Sequence, residues 1–326
     1  MSFSSQVKTE LAEHMGTARH CMLAELAALM NTCARVSLAP SEIQFQGENE
    51  ATLKKVFTLL EKTFNIEMEV SFRHGRGFQQ DGKAGRFIAY TGSIRVPAQV
   101  YTVLKGLKLL HRTPEGWTFE RKASPLLTAN SCCKRAYIRG AFLGGGSITN
   151  PEKTYHIEFI NETIEHAKAL QEMMRFFELD SRIIERQRQS QKSVYVLYLK
   201  DGTQIVDLLN VMEAHVALMD LENIRIVKEM RNNVNRQVNC ETANLGKTVE
   251  AAMRQLEDIR YVITRKGLGY LPKGLEEIAI LRLENEDASL KELGMMLDPP
   301  VGKSGVNHRL RKISQIADEL RRGSEG

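Results

Sequence analysis

The chain has 326 residues, 42% of them hydrophobic and 26% charged, with a formal net charge of +5; these are the proportions of a soluble globular protein of two or three domains. It has no apolar run of about 18 residues, and its opening MSFSSQVKTELAEHM has an acid by position 10 and no apolar core, so neither a membrane span nor a secretory leader is expected. Five scattered cysteines, at 21, 33, 132, 133 and 240, form no CxxC pair; this spacing predicts neither a disulfide framework nor a structural zinc site, and it fits a reducing cytoplasm.

In chain order, a helix is predicted from about Cys21 to Thr32. IQFQGENEATLKKVFTLLEKTF, from Ile43, reads as a short alternating strand and a helix with Leu53, Val56, Phe57, Leu60 and Phe64 on one side. IEMEVSFRHGRGFQQDGKAGRFIAYTG then reads as strand, Gly-rich turn and strand, and VPAQVYTVLKGLKLL closes the set as a helix near 96–110. The same order returns. A helix from about Cys132 to Leu143 leads IEFINETIEHAKALQEMMRFFE, in which Ile157, Phe159 and Glu162 fall on Ile43, Phe45 and Glu48 at an offset of 114. A second hairpin, SRIIERQRQSQKSVYVLYLKDG, and a helix near 202–212 follow. Each copy thus reads helix–strand–helix–strand–strand–helix, an internal duplication.

Beyond about 222 the chain becomes polar and helical, with helices predicted at 222–236 and 245–264 that read as solvated packing helices rather than base readers. From Leu275 the helical period is clear. A first helix carries Leu275, Ile278, Ala279, Leu281 and Leu283. Ser289 and Glu292 form a capping-box pattern before a short helix to Leu297. Pro299 and Pro300 stop that helix. Ser304 then caps a last helix whose Val306, Leu310, Ile313, Ala317 and Leu320 recur at spacings of 4, 3, 4 and 3. This is a helix-turn-helix pattern. Charge switches within it: residues 276–298 hold seven acids against two Lys/Arg, whereas 301–317 hold four Lys/Arg and no acid.

The outward face of the last helix offers Asn307, His308, Arg311, Ser314 and Gln315, flanked by Lys303, Arg309 and Lys312. Arg and Asn can make bidentate contacts to guanine and adenine in a major groove. Lys303 and Ser304, at the helix start, suit phosphate, as do Ser289 and Lys291 at the start of the preceding helix. The candidate DNA-binding residues are therefore Ser289, Lys291, Lys303, Ser304, Asn307, His308, Arg309, Arg311 and Lys312. Candidate contacts to the DNA backbone lie in the two hairpins: Arg73, Arg76 and Arg86 in the first, Arg182, Arg186 and Arg188 in the second.

YIRGAFLGGGSITNP, from Tyr137 to Pro151, resembles a phosphate loop only superficially. Gly146 stands where the lysine of G-x-x-x-x-G-K-[ST] belongs, and a helix rather than a strand precedes the glycines. GKS at 302–304 fails too, with Leu297 where the first glycine belongs. Gly140 and Gly144, four apart, instead give a helix a flat face. LAALMNTCA, Leu26 to Ala34, is the equivalent 112 residues earlier.

LAALMNTCA and IRGAFLGGGS resemble the two LAGLIDADG motifs of a single-chain homing endonuclease. That resemblance implies two helices packed along a pseudo-twofold axis and, around them, an α+β fold of duplicated αββ-type units whose sheets form a DNA-binding saddle. It also implies a divalent metal held by the last acid of each motif. The matching positions are Cys33 and Gly145, and the earlier acid falls on Asn31 and Leu143, so no metal site is expected there. RGAFLGGGSITNP, VNCETANLGKTVEAAMRQLEDI and SLKELGMMLDPPVGKSGVNHRLRKI further resemble the WhiA family over essentially the whole chain. This implies a bacterial DNA-binding regulator tied to sporulation, cell division or chromosome segregation, with a helix-turn-helix similar to region 4 of a sigma factor.

The expected organisation is a duplicated domain over 1–222, with copies at about 20–112 and 131–220, a helical linker over 223–273 and a helix-turn-helix domain over 274–326. The expected function is sequence-specific binding of double-stranded DNA without cleavage, as a transcriptional regulator. The expected partners are DNA and another regulator or RNA polymerase. No cofactor, small-molecule substrate or membrane is expected, and a monomer in the cytoplasm, associated with the nucleoid, is. Three rivals remain. An active nuclease needs acids at the motif ends, and Glu25 and Glu152 lie off those positions. Cysteine chemistry at Cys33 competes with simple packing. A scaffold role would have the saddle bind protein instead of DNA.

Overall fold

The computed structural model describes residues 2–78, 84–114, 116–187 and 193–322, with the backbone alone at 74–78 and 84–87. Its elements in chain order begin with α1 (Phe3–Glu13), α2 (Arg19–Cys33), β1 (Ala34–Leu38), β2 (Ser41–Gly47), α3 (Glu50–Phe64), β3 (Glu69–Phe78), β4 (Ala84–Ile94) and α4 (Pro97–Gly106). A small hairpin, β5 (Leu110–Thr113) and β6 (Gly116–Phe119), separates this copy from the next. The second copy comprises α5 (Ser131–Gly145), β7 (Gly146–Ile148), β8 (Ile157–Asn161), α6 (Ile164–Arg175), β9 (Arg182–Gln187), β10 (Ser193–Leu199) and α7 (Gly202–Met212). The remaining helices are α8 (His215–Lys266), α9 (Lys273–Glu284), α10 (Leu290–Met296) and α11 (Lys303–Arg322).

The two sheets have the same antiparallel topology, β1-β2-β4-β3 and β7-β8-β10-β9. This is the duplicated α+β architecture, with one correction. Each copy has an additional strand, β1 or β7, directly after its leading helix, so the order is helix–strand–strand–helix–strand–strand–helix. These strands were hidden because they are short (ARVSL and GSI) and follow the helices without a turn signal.

Why the leading helices meet is visible in their sequence. Both carry small residues on the shared face, and a Cβ on Gly140 would collide with the Glu25 carbonyl oxygen, one on Gly144 with the Thr32 hydroxyl. Only glycine lets these backbones come so close. Around them Leu26, Leu29, Met30, Tyr137, Phe142, Phe45 and Phe159 form a fully buried core.

The chain divides into two compact units, Met1–Lys228 and Glu229–Gly326. The boundary falls inside α8, a single helix of 52 residues where two were expected. The expected break at 237–244 is bridged by local contacts: Gln237 donates to Glu241 at 3.0 Å, and Thr248 to the Asn244 carbonyl at 2.9 Å. Gly246 costs the helix about 1 kcal/mol, too little to end it. In the second unit Ile259 and Val262 of α8 join Leu275, Ile278, Leu293, Val306, Leu310 and Ile313 in a separate core. No helix among the described residues is long and apolar enough to cross a membrane.

Candidate nucleic-acid interface

α10, a tight turn and α11 build the helix-turn-helix. The Ser289 hydroxyl accepts the Glu292 N–H at 3.3 Å and Glu292 accepts the Ser289 N–H at 2.7 Å, which completes the capping box. Ser289 oxygen is thus committed to its own helix, while neighbouring Lys291 is exposed. The Val301 N–H returns to the Gly294 carbonyl at 2.8 Å and closes the turn. α11 starts at Lys303, and Val306 N–H bonds to the Gly302 carbonyl at 3.1 Å. Ser304 therefore sits in the first turn instead of capping it; Gly302 takes the cap position that its small size permits.

Val306, Leu310, Ile313 and Ala317 bury one side of α11. The other exposes Lys303, Ser304, His308, Arg311, Lys312 and Gln315, with Asn307 half-buried on the flank. Among the described residues none of these has an ion-pair partner. Arg309 differs: it lies on the other flank, half-buried, and donates to the Gly274 carbonyl at 3.4 Å. Its helical phase turns it toward α9, away from the exposed face that carries Arg311.

In the first unit, cross-strand register settles which hairpin residues face away from the helices. On the second sheet Arg182 lies beside Tyr198 and Arg186 beside Val194, in the row of Glu158 and opposite to buried Phe159 and Leu197. Arg186 approaches Glu158 at 3.6 Å. On the first sheet Arg73 pairs with Ala89 in the row of Ser71, Thr91 and Gln46. Arg35, which sequence reasoning missed, joins that outer face opposite Gln44 and is exposed; its alternation with buried Ala34 was the available signal. Arg76 and Arg86 are direct cross-strand partners, and Arg188 lies outside the described residues. Arg95 is engaged with Glu42 at 3.0 Å and Glu69 at 2.6 Å.

The motif ends explain what replaces the lost acids. Arg121 donates to the carbonyls of Met30 and Asn31 at 3.0 and 2.9 Å, and to Ala34 at 2.6 Å, so its guanidinium covers the C-terminal end of α2. It also pairs with Glu162 at 3.2 Å. Lys8 of α1 is half-buried beside Cys33 and Glu48, and burial pushes its ammonium below the usual lysine range. Two cations of the chain itself, Lys8 and Arg121, thus flank Cys33. Burial holds the Cys33 thiol up at about 12, and its Sγ sits against Gly144, as expected of a packing thiol. Asn31, at the earlier acid position, donates to the Tyr137 hydroxyl at 2.8 Å, and that hydroxyl bonds to His166 Nε2 at 2.8 Å. Glu25 is buried between Arg139 at 3.0 Å and Lys55 at 3.3 Å, and Glu152 is exposed on a turn.

A duplicated α+β unit with non-acidic motif ends, followed by a helix-turn-helix, defines a composite class: a LAGLIDADG-like scaffold joined to a DNA-binding motif. Family models place its parts. Residues 19–109 match the WhiA N-terminal LAGLIDADG-like domain, 134–231 the WhiA LAGLIDADG-like domain, and 234–317 the WhiA C-terminal HTH domain. The chain is 48% identical over 328 residues to the probable cell division protein WhiA of Alkaliphilus oremlandii, covering 99% of each. It is also 48% identical over 326 residues to its counterpart in Lachnoclostridium phytofermentans, covering 98% of this chain and 100% of that one. The chain belongs to the WhiA family. Its fold is similar to that of the full-length DUF199/WhiA crystal structure from Thermatoga maritima, with a TM-score of 0.57 at 23% identity over 98% and 99% of the two chains.

Proposed function

We propose that this chain binds double-stranded DNA sequence-specifically through α11, does not cleave it, and acts as a bacterial transcriptional regulator in cell division, chromosome segregation or sporulation. The observation that carries the reading is the face of α11. Lys303, Ser304, His308, Arg311 and Lys312 are exposed together on the side opposite a fully buried apolar stripe. That is the arrangement a recognition helix needs, with readers at its N-terminal half. The name shared by the relatives supports a role in cell division. Absence of cleavage is supported by Lys8 and Arg121, whose charges compete with a divalent ion at the motif ends.

We further read residues 1–222 as the saddle, 223–273 as linker and 274–326 as reader. The chain acts as a monomer in the cytoplasm on the nucleoid, alongside another regulator or RNA polymerase. The first sheet's outer face is largely Ser, Thr and Gln, with Arg35 and Arg73 as its described free-standing cations. That face favours, as a second reading, a saddle that docks protein rather than DNA.

Gel-shift titration against sites recovered from host chromatin tests the main reading. Replacing Arg311 with alanine is expected to weaken specific binding by about 1–3 kcal/mol, the range for one base-reading contact; unchanged affinity removes α11 from the mechanism. Incubation with duplex DNA and magnesium or manganese should leave the DNA whole. Specific cleavage that depends on the added metal would restore the nuclease.

A further inference from the structure

We propose that His20, Cys21, Cys132 and Cys133 form a zinc site that staples the N-terminal ends of α2 and α5. Nδ1 of His20 lies 3.1 Å from Cys133 Sγ and 3.3 Å from Cys21 Sγ. These three ligand atoms and that of Cys132 all lie within 4.8 Å of one another. A tetrahedral zinc with bonds of about 2.3 Å to sulfur has sulfur–sulfur edges of about 3.8 Å. The set therefore needs a contraction of about 1 Å at its widest edge, within reach of side-chain torsions. Three thiols and one imidazole are a soft donor set that selects zinc over magnesium or calcium. Four protein ligands with no open position make a structural rather than a catalytic site.

The symmetry of the duplication produces this cluster. Cys132 stands 112 residues after His20 (132 − 20), and Cys133 stands 112 after Cys21 (133 − 21). That is the spacing that also relates Ala28 to Gly140, which touch across the helix pair. Each helix contributes its second and third residues, so the helix packing that brings Ala28 to Gly140 brings the ligands together too.

The electrostatics also fit. A site with three thiolates and one zinc carries one negative charge. It sits at the N-terminal ends of two helices, whose free N–H groups and dipoles favour an anion. Neither helix has a side-chain cap there. The nearby cations point elsewhere: Arg19 donates to the Thr63 carbonyl at 2.8 Å, Lys134 to the Ala129 carbonyl at 3.0 Å, and Arg135 lies over the Phe177 ring. Burial and the hydrogen bond with Cys132 push the Cys21 thiol up to about 12; a coordinating cation reverses this, because bound thiols ionise. His20 and Cys132 are exposed while Cys133 is buried, which gives the ion an entry path from solvent. The cluster is at the opposite end of α2 and α5 from Cys33 and Gly145, so it owes nothing to the lost nuclease site. No other such cluster occurs among the described residues.

Elemental analysis of the full chain, purified with reductant and without chelator, should find one zinc per chain. Exchange for cobalt(II) should give thiolate-to-cobalt charge-transfer bands in the near ultraviolet and the strong visible bands of a tetrahedral site. Those bands should vanish in the Cys132→Ser/Cys133→Ser variant and persist in Cys240→Ser. If the double variant fails to fold, cobalt titration of His20→Ala, an exposed position, must show weakened binding and an altered visible spectrum. A reduced chain that takes up neither ion overturns the proposal, as does a six-coordinate cobalt spectrum or bands indifferent to these substitutions. A disulfide from Cys21 to Cys132 or Cys133 in protein taken from cells, with no metal, overturns it equally.

Discussion

Single residues in the first unit carry large energetic weight because they are charged or polar and buried. Glu25 is enclosed with Arg139 and Lys55, all three nearly inaccessible to water. Such a cluster adds little over an apolar one, but breaking it leaves unpaired charge in the core. Glu25→Gln keeps the shape and removes the charge, and should cost about 3–5 kcal/mol in urea unfolding. His166 makes a different prediction. Burial, followed by the charge of Arg121, lowers its pKa to about 4, against about 6.5 in an unfolded chain. Above pH 6.5 both states are neutral there and the stabilisation is complete. Between 6.5 and 4 the unfolded chain gains a proton that the folded chain refuses. Stability then falls with falling pH by up to about 3 kcal/mol from this residue. The slope of urea midpoint against pH over that window should flatten in His166→Gln; an unchanged slope assigns the acid sensitivity elsewhere.

At the scale of elements, the short and the long helices depend on different supports. α10 has seven residues, too few to persist alone. It is held by its capping box and by Leu293 and Leu297 in the core of the second unit. Ser289→Ala should cost about 1 kcal/mol, read as a lower unfolding midpoint of the second unit. If the midpoint does not move, packing alone sets α10. α8 is the opposite case. Residues 229–251 are exposed throughout, so the middle of that helix relies on its own hydrogen bonds. Two helices are expected there because polar, low-propensity residues at 237–244 resemble a linker; helix continuity from both ends outweighs that local preference.

For the whole molecule, charge placement matters more than net charge. A value of +5 is mild, yet Lys303, Arg311 and Lys312 stand together on one exposed face. Binding through that face releases counterions, so Lys303→Ala should reduce the slope of log affinity against log salt by about 1 while leaving site preference intact. A changed preference with an unchanged slope would make Lys303 a base reader. The duplication bears on function at this scale as well. It supplies two saddle halves from one chain, and with them the two helix ends on which the zinc proposal rests.

Local pattern and internal repetition were legible in the sequence alone. The 3.6-residue period located α9 and α11, the Ser289–Glu292 spacing located the cap, and the offset between copies revealed the duplication. Missing acids at Cys33 and Gly145 were legible as well, because a motif is compared position by position. Tertiary structure decided what required distant parts to meet. It placed Lys8 and Arg121 around Cys33, turned Arg309 toward Gly274, and put Arg35 on the outer face of the sheet. It also gathered His20, Cys21, Cys132 and Cys133, which the absence of a CxxC pair had argued against. Cysteine spacing reports a metal site only when one local loop supplies adjacent ligands. Here each half comes from a different helix, and close packing through Gly140 and Gly144 sets the distance between them.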